Sequence, residues 1–167
     1  MKASVSIVLC TYNGAKYIKE QLDSIIAQTY PLHEIIVQDD HSTDETTEIL
    51  QEYACRHNLI KIFQNDSTQG VNGNFLSAMQ RATGEYIAIS DQDDIWETDK
   101  IENQINSIGK NLLCSGLSRP FSTDGSFAYF DQRKRNVHAI RMCFLCLPGH
   151  TLLFRRELVG MLPPLTH

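Results

Sequence analysis

The chain has 167 residues and a formal net charge of −5, with 42% hydrophobic and 21% charged residues. That length suits one domain with a sizeable core, and the composition favours a folded class over disorder. The acidic balance argues against a nucleic-acid binder, whose surface should be basic, so an anionic ligand needs a local device, either a metal ion or helix N-termini. No apolar run approaches the ~18 residues of a membrane span. Polar Thr11-Tyr12-Asn13 ends the first apolar stretch before a signal-peptide core could form. The five cysteines are an odd number. They read as reduced thiols of a cytoplasmic protein, with Cys143 and Cys146 as packing residues despite their CxxC spacing.

Val5 to Leu9 reads as a buried strand, followed by a helix striped with Ile18, Leu22, Ile25 and Ile26. Pro31 closes the connection to a second strand, Ile35 to Val37. Ser42 with Glu45 predicts a capping box at the start of a helix carrying Ile49, Leu50 and Tyr53. Ile60 to Phe63 is a third strand; Phe75, Ala78, Met79 and Ala82 stripe a third helix that Gly84 is expected to stop. Tyr86 to Ile89 is a fourth strand, Ile101, Ile105 and Ile108 stripe a fourth helix ended by Gly109, and Leu112 to Cys114 is a fifth strand. This alternation predicts an α/β fold with a mostly parallel sheet and helices on both faces. From residue 116 to 140 the rhythm fails, with a short basic run from Gln132 to Arg135 that reads as a solvated loop. Pro148 to Phe154 reads as a loop into a strand, with a short helix from Arg155 to about Met161.

Ligands of a parallel α/β sheet bind outside the carboxyl ends of its strands. Three polar clusters fall there: Cys10-Thr11-Tyr12-Asn13-Gly14, Gln38-Asp39-Asp40-His41-Ser42 and Ser90-Asp91-Gln92-Asp93-Asp94. Asp44 and Asp99 read as helix caps. Three acids in the four residues Asp91 to Asp94 do not. They repel one another and raise one another's pKa, a cost that a hard divalent cation removes. Asp91 and Asp93 are therefore candidate ligands for Mg²⁺ or Mn²⁺, which would carry a diphosphate and stabilise charge on it as a leaving group. Tyr12 offers a ring to a base, Thr11 and Asn13 offer backbone groups, Asp40 accepts from a base N–H, and Asp91 bridges towards ribose or metal.

The three clusters, in this order and spacing, resemble the family 2 glycosyltransferases over residues 3 to about 108, and loosely over 148 to 167. The resemblance implies the GT-A fold, an inverting reaction and a nucleotide-sugar donor. It matches Asp40 to a base-binding aspartate, Asp91 and Asp93 to a DXD pair, and Asp93 to the main metal ligand. Ser90 to Trp96, with Gly70 to Phe75 before it, is similar to the rhamnosyltransferase-like branch, which implies a dTDP- or UDP-linked donor. Phe75-Leu76 stands where many members carry an Arg-Asn donor contact. The implied acceptor is a saccharide or lipid-linked saccharide of cell-surface polysaccharide synthesis, reached at the inner face of the membrane through peripheral contact. Residues 1–115 are then the donor half and 116–167 the start of an acceptor half. Trp96, Gly149 and His150 are candidates for the sugar or acceptor pocket, with Trp96 also fitting a packing role. The resemblance further implies an acidic general base, expected just after His167; a base within the chain would be sought first at Asp124, Asp131 and Glu157, none of which the family pattern matches. A chain lacking that base would be a non-catalytic nucleotide-sugar-binding domain. A nucleotidyltransferase ranks last, because Thr11 to Lys16 is a poor triphosphate loop.

Overall fold

The structure is a computed structural model, and it describes residues 2–66, 70–118 and 149–161. Four strands, β1 (Val5–Thr11), β2 (Glu34–Asp39), β3 (Ile60–Gln64) and β4 (Tyr86–Ser90), alternate with α1 (Ile18–Ile26), α2 (Thr46–Arg56), α3 (Val71–Arg81) and α4 (Lys100–Ile108). Two short strands follow, β5 (Leu113–Ser115) and β6 (Leu152–Arg155), and β6 is flanked by 3₁₀ turns over Gly149–Thr151 and Arg156–Met161. The sheet order is β3-β2-β1-β4-β6-β5. The pairs β1·β2, β1·β4 and β2·β3 are parallel, while β6 runs antiparallel to both its neighbours. Chain order moves outward from β1 to β3 and then jumps back to β4, so the crevice between β1 and β4 is the topological switch point.

Both faces of β1 are buried, as expected for a central parallel strand. Val5, Ile7 and Leu9 pack on one face against Ile18, Leu22 and Ile25 of α1, Ile49 and Leu50 of α2, and Ile101 and Ile108 of α4. Val8 and Cys10 face the other way, towards Ala78 and Met79 of α3 and Phe154 of β6. Burying such aliphatic side chains contributes on the order of 1.5–3 kcal/mol each. Among the described residues Cys10, Cys55 and Cys114 are free thiols. Cys143, Cys146 and the basic run lie outside the described residues. Among those described, no helix is long and apolar enough to cross a membrane.

Two local expectations are corrected. The Ser42–Glu45 capping box does not form: α2 starts at Thr46 with no side-chain cap from Glu45. Ser42 Oγ is instead taken up by Asp39 and by the amide of Asn13, and Asp44 accepts from the Thr46 amide. Gly84 does not stop α3, which ends at Arg81. It lies against β1, where a Cβ would come within 2.8 Å of the Ser6 backbone nitrogen. Strand β6 inserts between β4 and β5 with reversed direction.

Candidate functional site

The loops after β1, β2 and β4 meet at the switch point. Thr11 is buried and donates to Asp39 Oδ1, while the Ser42 amide donates to Asp39 Oδ2. Asn13 takes a positive φ of 49°; its amide donates to Ser42 Oγ and its Oδ1 accepts from the Thr43 amide. The first two loops are thereby stitched together. Tyr12, directly after β1, is left 57% exposed. Gln92 ties this pair to the acidic loop: its Oε1 accepts from the Tyr12 amide at 2.9 Å and its Nε2 donates to the Tyr12 carbonyl at 3.1 Å. Gly14 makes room for that carboxamide, since a Cβ there would meet Gln92 Oε1 at 2.4 Å. Asp40 accepts from Asn65 Nδ2 at 2.7 Å and from the Gly70 amide at 2.8 Å, joining the end of β3 to the start of α3.

The acidic loop meets the turn before β6. Because β6 is antiparallel, its first residues arrive at the carboxyl end of β4, and this brings His150 to Asp91 across 59 positions of sequence. His150 Nδ1 lies 3.1 Å from Asp91 Oδ2 and 3.5 Å from Asp94 Oδ2. Ligand atoms of Asp91, Asp94 and His150 all lie within 4.8 Å of one another. Asp94 Oδ2 and His150 Nε2 are buried and have no hydrogen-bond partner among the described residues. Burial, then the charges of Asp91 and Asp93, raise the Asp94 carboxyl above its ordinary range, against His150 and Lys100. The hydrogen bond to Asp91 raises the His150 imidazole, against burial and the Lys100 charge. Lys100 is pulled down to about 7 by burial, against the charges of Asp94 and Asp91.

Buried polar groups without partners are uncommon and costly. Two carboxylates and an imidazole, two of them with an unsatisfied buried atom, fit a divalent cation, and the imidazole tilts the set from Mg²⁺ towards Mn²⁺. The sequence reading placed Asp91 and Asp93 at the metal. The structure brings Asp91 together with Asp94 and His150, while Asp93 between them is exposed and outside the trio. Trp96 is 5% exposed and belongs to the core, with its ring against Lys100 Nζ, so it packs rather than lining an open pocket. Gly149 belongs to the turn that carries His150. Glu157 follows β6 beside Glu85, whose carbonyl accepts from the Arg156 amide, so it lies at the opposite end of the sheet from the acidic loop. Asp124 and Asp131 lie outside the described residues. Gln92 and Lys100 were missed. Gln92 looks like a spacer in the sequence. Lys100 carried one signal, a cation in the first turn of a helix, where the dipole disfavours it.

A six-stranded, mostly parallel sheet with helices on both faces and an acidic loop at the switch point defines the GT-A fold, which this chain shares with the mannosyltransferase PcManGT of Pyrobaculum calidifontis. That protein, solved with GDP-Man and Mn²⁺, superposes with a TM-score of 0.75 at 25% identity, over 96% of this chain and 47% of its own. Residues 6–160 match the family described as Glycosyl transferase family 2, and the chain belongs to that family. It is 36% identical over 104 residues to the putative teichuronic acid biosynthesis glycosyltransferase TuaG of Bacillus subtilis, covering 62% of this chain and 41% of that protein. It is 36% identical over 109 residues to the UDP-Glc:alpha-D-GlcNAc-diphosphoundecaprenol beta-1,3-glucosyltransferase WfgD of Escherichia coli, covering 65% of this chain and 42% of that one. The chain thus spans about two fifths of the length of these curated relatives.

Proposed function

We propose that the chain is the donor-binding part of a metal-dependent inverting glycosyltransferase. It takes a sugar from a nucleotide-diphosphate donor to a saccharide or lipid-linked acceptor in cell-surface polysaccharide synthesis. The observation that carries this reading is the meeting of Asp91, Asp94 and His150, with two unsatisfied buried atoms, beside the exposed Tyr12 ring at the switch point. Tyr12 stacks on the base, and Asp40 reads a base N–H with lone pairs left over from Asn65 and Gly70. Asp91, Asp94 and His150 hold Mn²⁺ in preference to Mg²⁺, and Asp93 stands exposed on the same loop. A cation bound there supplies charge neutralisation for the diphosphate leaving group. Residues 1–115 form the donor half and 116–167 begin the acceptor half, which makes peripheral contact with the inner face of the membrane. Deprotonation of the acceptor is assigned to an acid outside the described residues, since Asp91 and Asp94 belong to the cluster and Glu157 lies at the other end of the sheet.

UDP is the favoured carrier, supported by the UDP-glucose in the name of WfgD. A dTDP-linked rhamnose is the second reading, supported by the Ser90–Trp96 string. Calorimetric titration of UDP, dTDP and GDP, with Mn²⁺ and then with EDTA, tests both. Binding should require Mn²⁺ and be tightest for UDP. Equal affinity with and without EDTA would remove the metal from the reading.

A further inference from the structure

Lys100 is the first residue of α4 and is only partly exposed. A cation there meets the positive end of the helix dipole and loses hydration, so its position needs compensation. The compensation is specific. Nζ donates to the His150 carbonyl at 2.7 Å and sits 3.3 Å from the centroid of the Trp96 ring. One turn further along, Gln104 Nε2 donates to the Thr151 carbonyl at 2.8 Å. Side chains at i and i+4 share a helix face. Thus α4 grips two successive carbonyls of the turn that carries His150, while the His150 ring is held by Asp91.

We propose that Lys100 is a positioning residue for the metal cluster: through the His150 carbonyl it holds the imidazole against Asp91, and so sets both the affinity of the cluster for a divalent cation and its preference for Mn²⁺ over Mg²⁺. This rests on the metal reading above. Loss of an outer partner of a metal ligand typically weakens metal binding about 10–100-fold. Because His150 is the ligand that favours Mn²⁺, the loss falls on Mn²⁺ more than on Mg²⁺.

The experiment uses the full chain, Mn²⁺ titration followed by electron paramagnetic resonance, Mg²⁺ by competition, and amide hydrogen exchange of the metal-free protein. Lys100→Met should weaken Mn²⁺ binding about tenfold, weaken Mg²⁺ binding less, and speed exchange across residues 149–152. Lys100→Arg should restore all three. In a His150→Ala background, Lys100→Met should cost no further Mn²⁺ affinity. A wild-type Mn²⁺/Mg²⁺ ratio and wild-type exchange in Lys100→Met would overturn the proposal, as would an undiminished loss in the His150→Ala background. If the unaltered chain takes up no Mn²⁺, the metal reading falls, and the exchange data alone decide whether Lys100 positions His150. If Lys100→Met loses its fold, seen as faster exchange throughout β1, the same comparisons run on Lys100→Gln, which keeps a shorter, uncharged donor.

Discussion

At the amino end of the sheet Glu34 is buried, and its carboxylate is fully served: Ser6 Oγ, the Thr83 amide and Thr83 Oγ1 donate to Oε1, and Lys61 Nζ lies 2.7 Å from Oε2. At the carboxyl end Asp94 is more exposed, yet its Oδ2 is buried without a hydrogen-bond partner and stands among other acids. Burial pushes both carboxyls up. At Glu34 the Lys61 ammonium and the Thr83 and Ser6 donors reverse that and hold it down at about 2. At Asp94 the neighbouring acids add to it. The same residue chemistry is thus stabilising where donors surround it and destabilising where acids do. His150 and Lys100 offset the acids only in part, and this is the end that has a use for a cation.

The comparison breaks most sharply if the two ends respond alike to substitution. His150→Ala combined with Asp94→Ala should weaken Mn²⁺ binding on the order of 100-fold or more, and leave the thermal midpoint unchanged or higher because unsatisfied groups and repulsion are removed. A marked loss of stability there would make the cluster structural. Glu34→Gln should do the reverse, costing about 3 kcal/mol of stability at pH 7 and leaving nucleotide affinity unchanged. Since the folded carboxyl lies below its ordinary 4.5, its contribution is complete above that pH and fades as pH falls through about 2. Denaturant curves of the two proteins should therefore converge at low pH. Persistent separation at pH 2 would mean that Glu34 acts through shape rather than charge.

Two smaller effects sharpen the contrast. Gly14→Ala should displace the Gln92 carboxamide, release Tyr12 and weaken nucleotide binding by about 1–2 kcal/mol; adding Gln92→Ala should recover the fold's comfort but not the affinity. Unchanged UDP affinity in Gly14→Ala would show that the Tyr12 loop needs no tether. The exposed Arg56–Glu52 pair, at 3.2 Å within α2, belongs to neither end. Glu52→Gln should shift stability by less than ~0.5 kcal/mol in denaturant unfolding, and that shift should vanish in high salt.

Periodicity revealed the four helices and the first four strands, because aliphatic stripes such as Ile18-Leu22-Ile25 have one physical use. It failed where a short polar residue had two possible partners. Ser42 suits a helix cap, but Asp39 and Asn13 claim it. The acidic loop was legible from like charges crowded after an apolar strand. His150 was legible as a candidate, but not its meeting with Asp91, which depends on the reversed direction of β6. Gln92 was hidden because its task, a two-way bond to the Tyr12 backbone, leaves no trace in spacing.

The reversed β6 also governs the order in which the chain can be assembled on a ribosome. Strands β2, β3 and β4 each pair with a parallel neighbour already synthesised, and their contacts can form as the chain emerges. Among the described residues, the outer edge of β4 is covered by residues 152–155, and β5, made much earlier, pairs with β6 alone. Until β6 is made, β4 and β5 both lack the strand that pairs with them in the described sheet. Such edges recruit other chains. A slow stretch of translation between β5 and β6 would therefore lengthen the period of greatest aggregation risk, whereas a pause after β6 would fall on a sheet whose β4 and β5 are already paired.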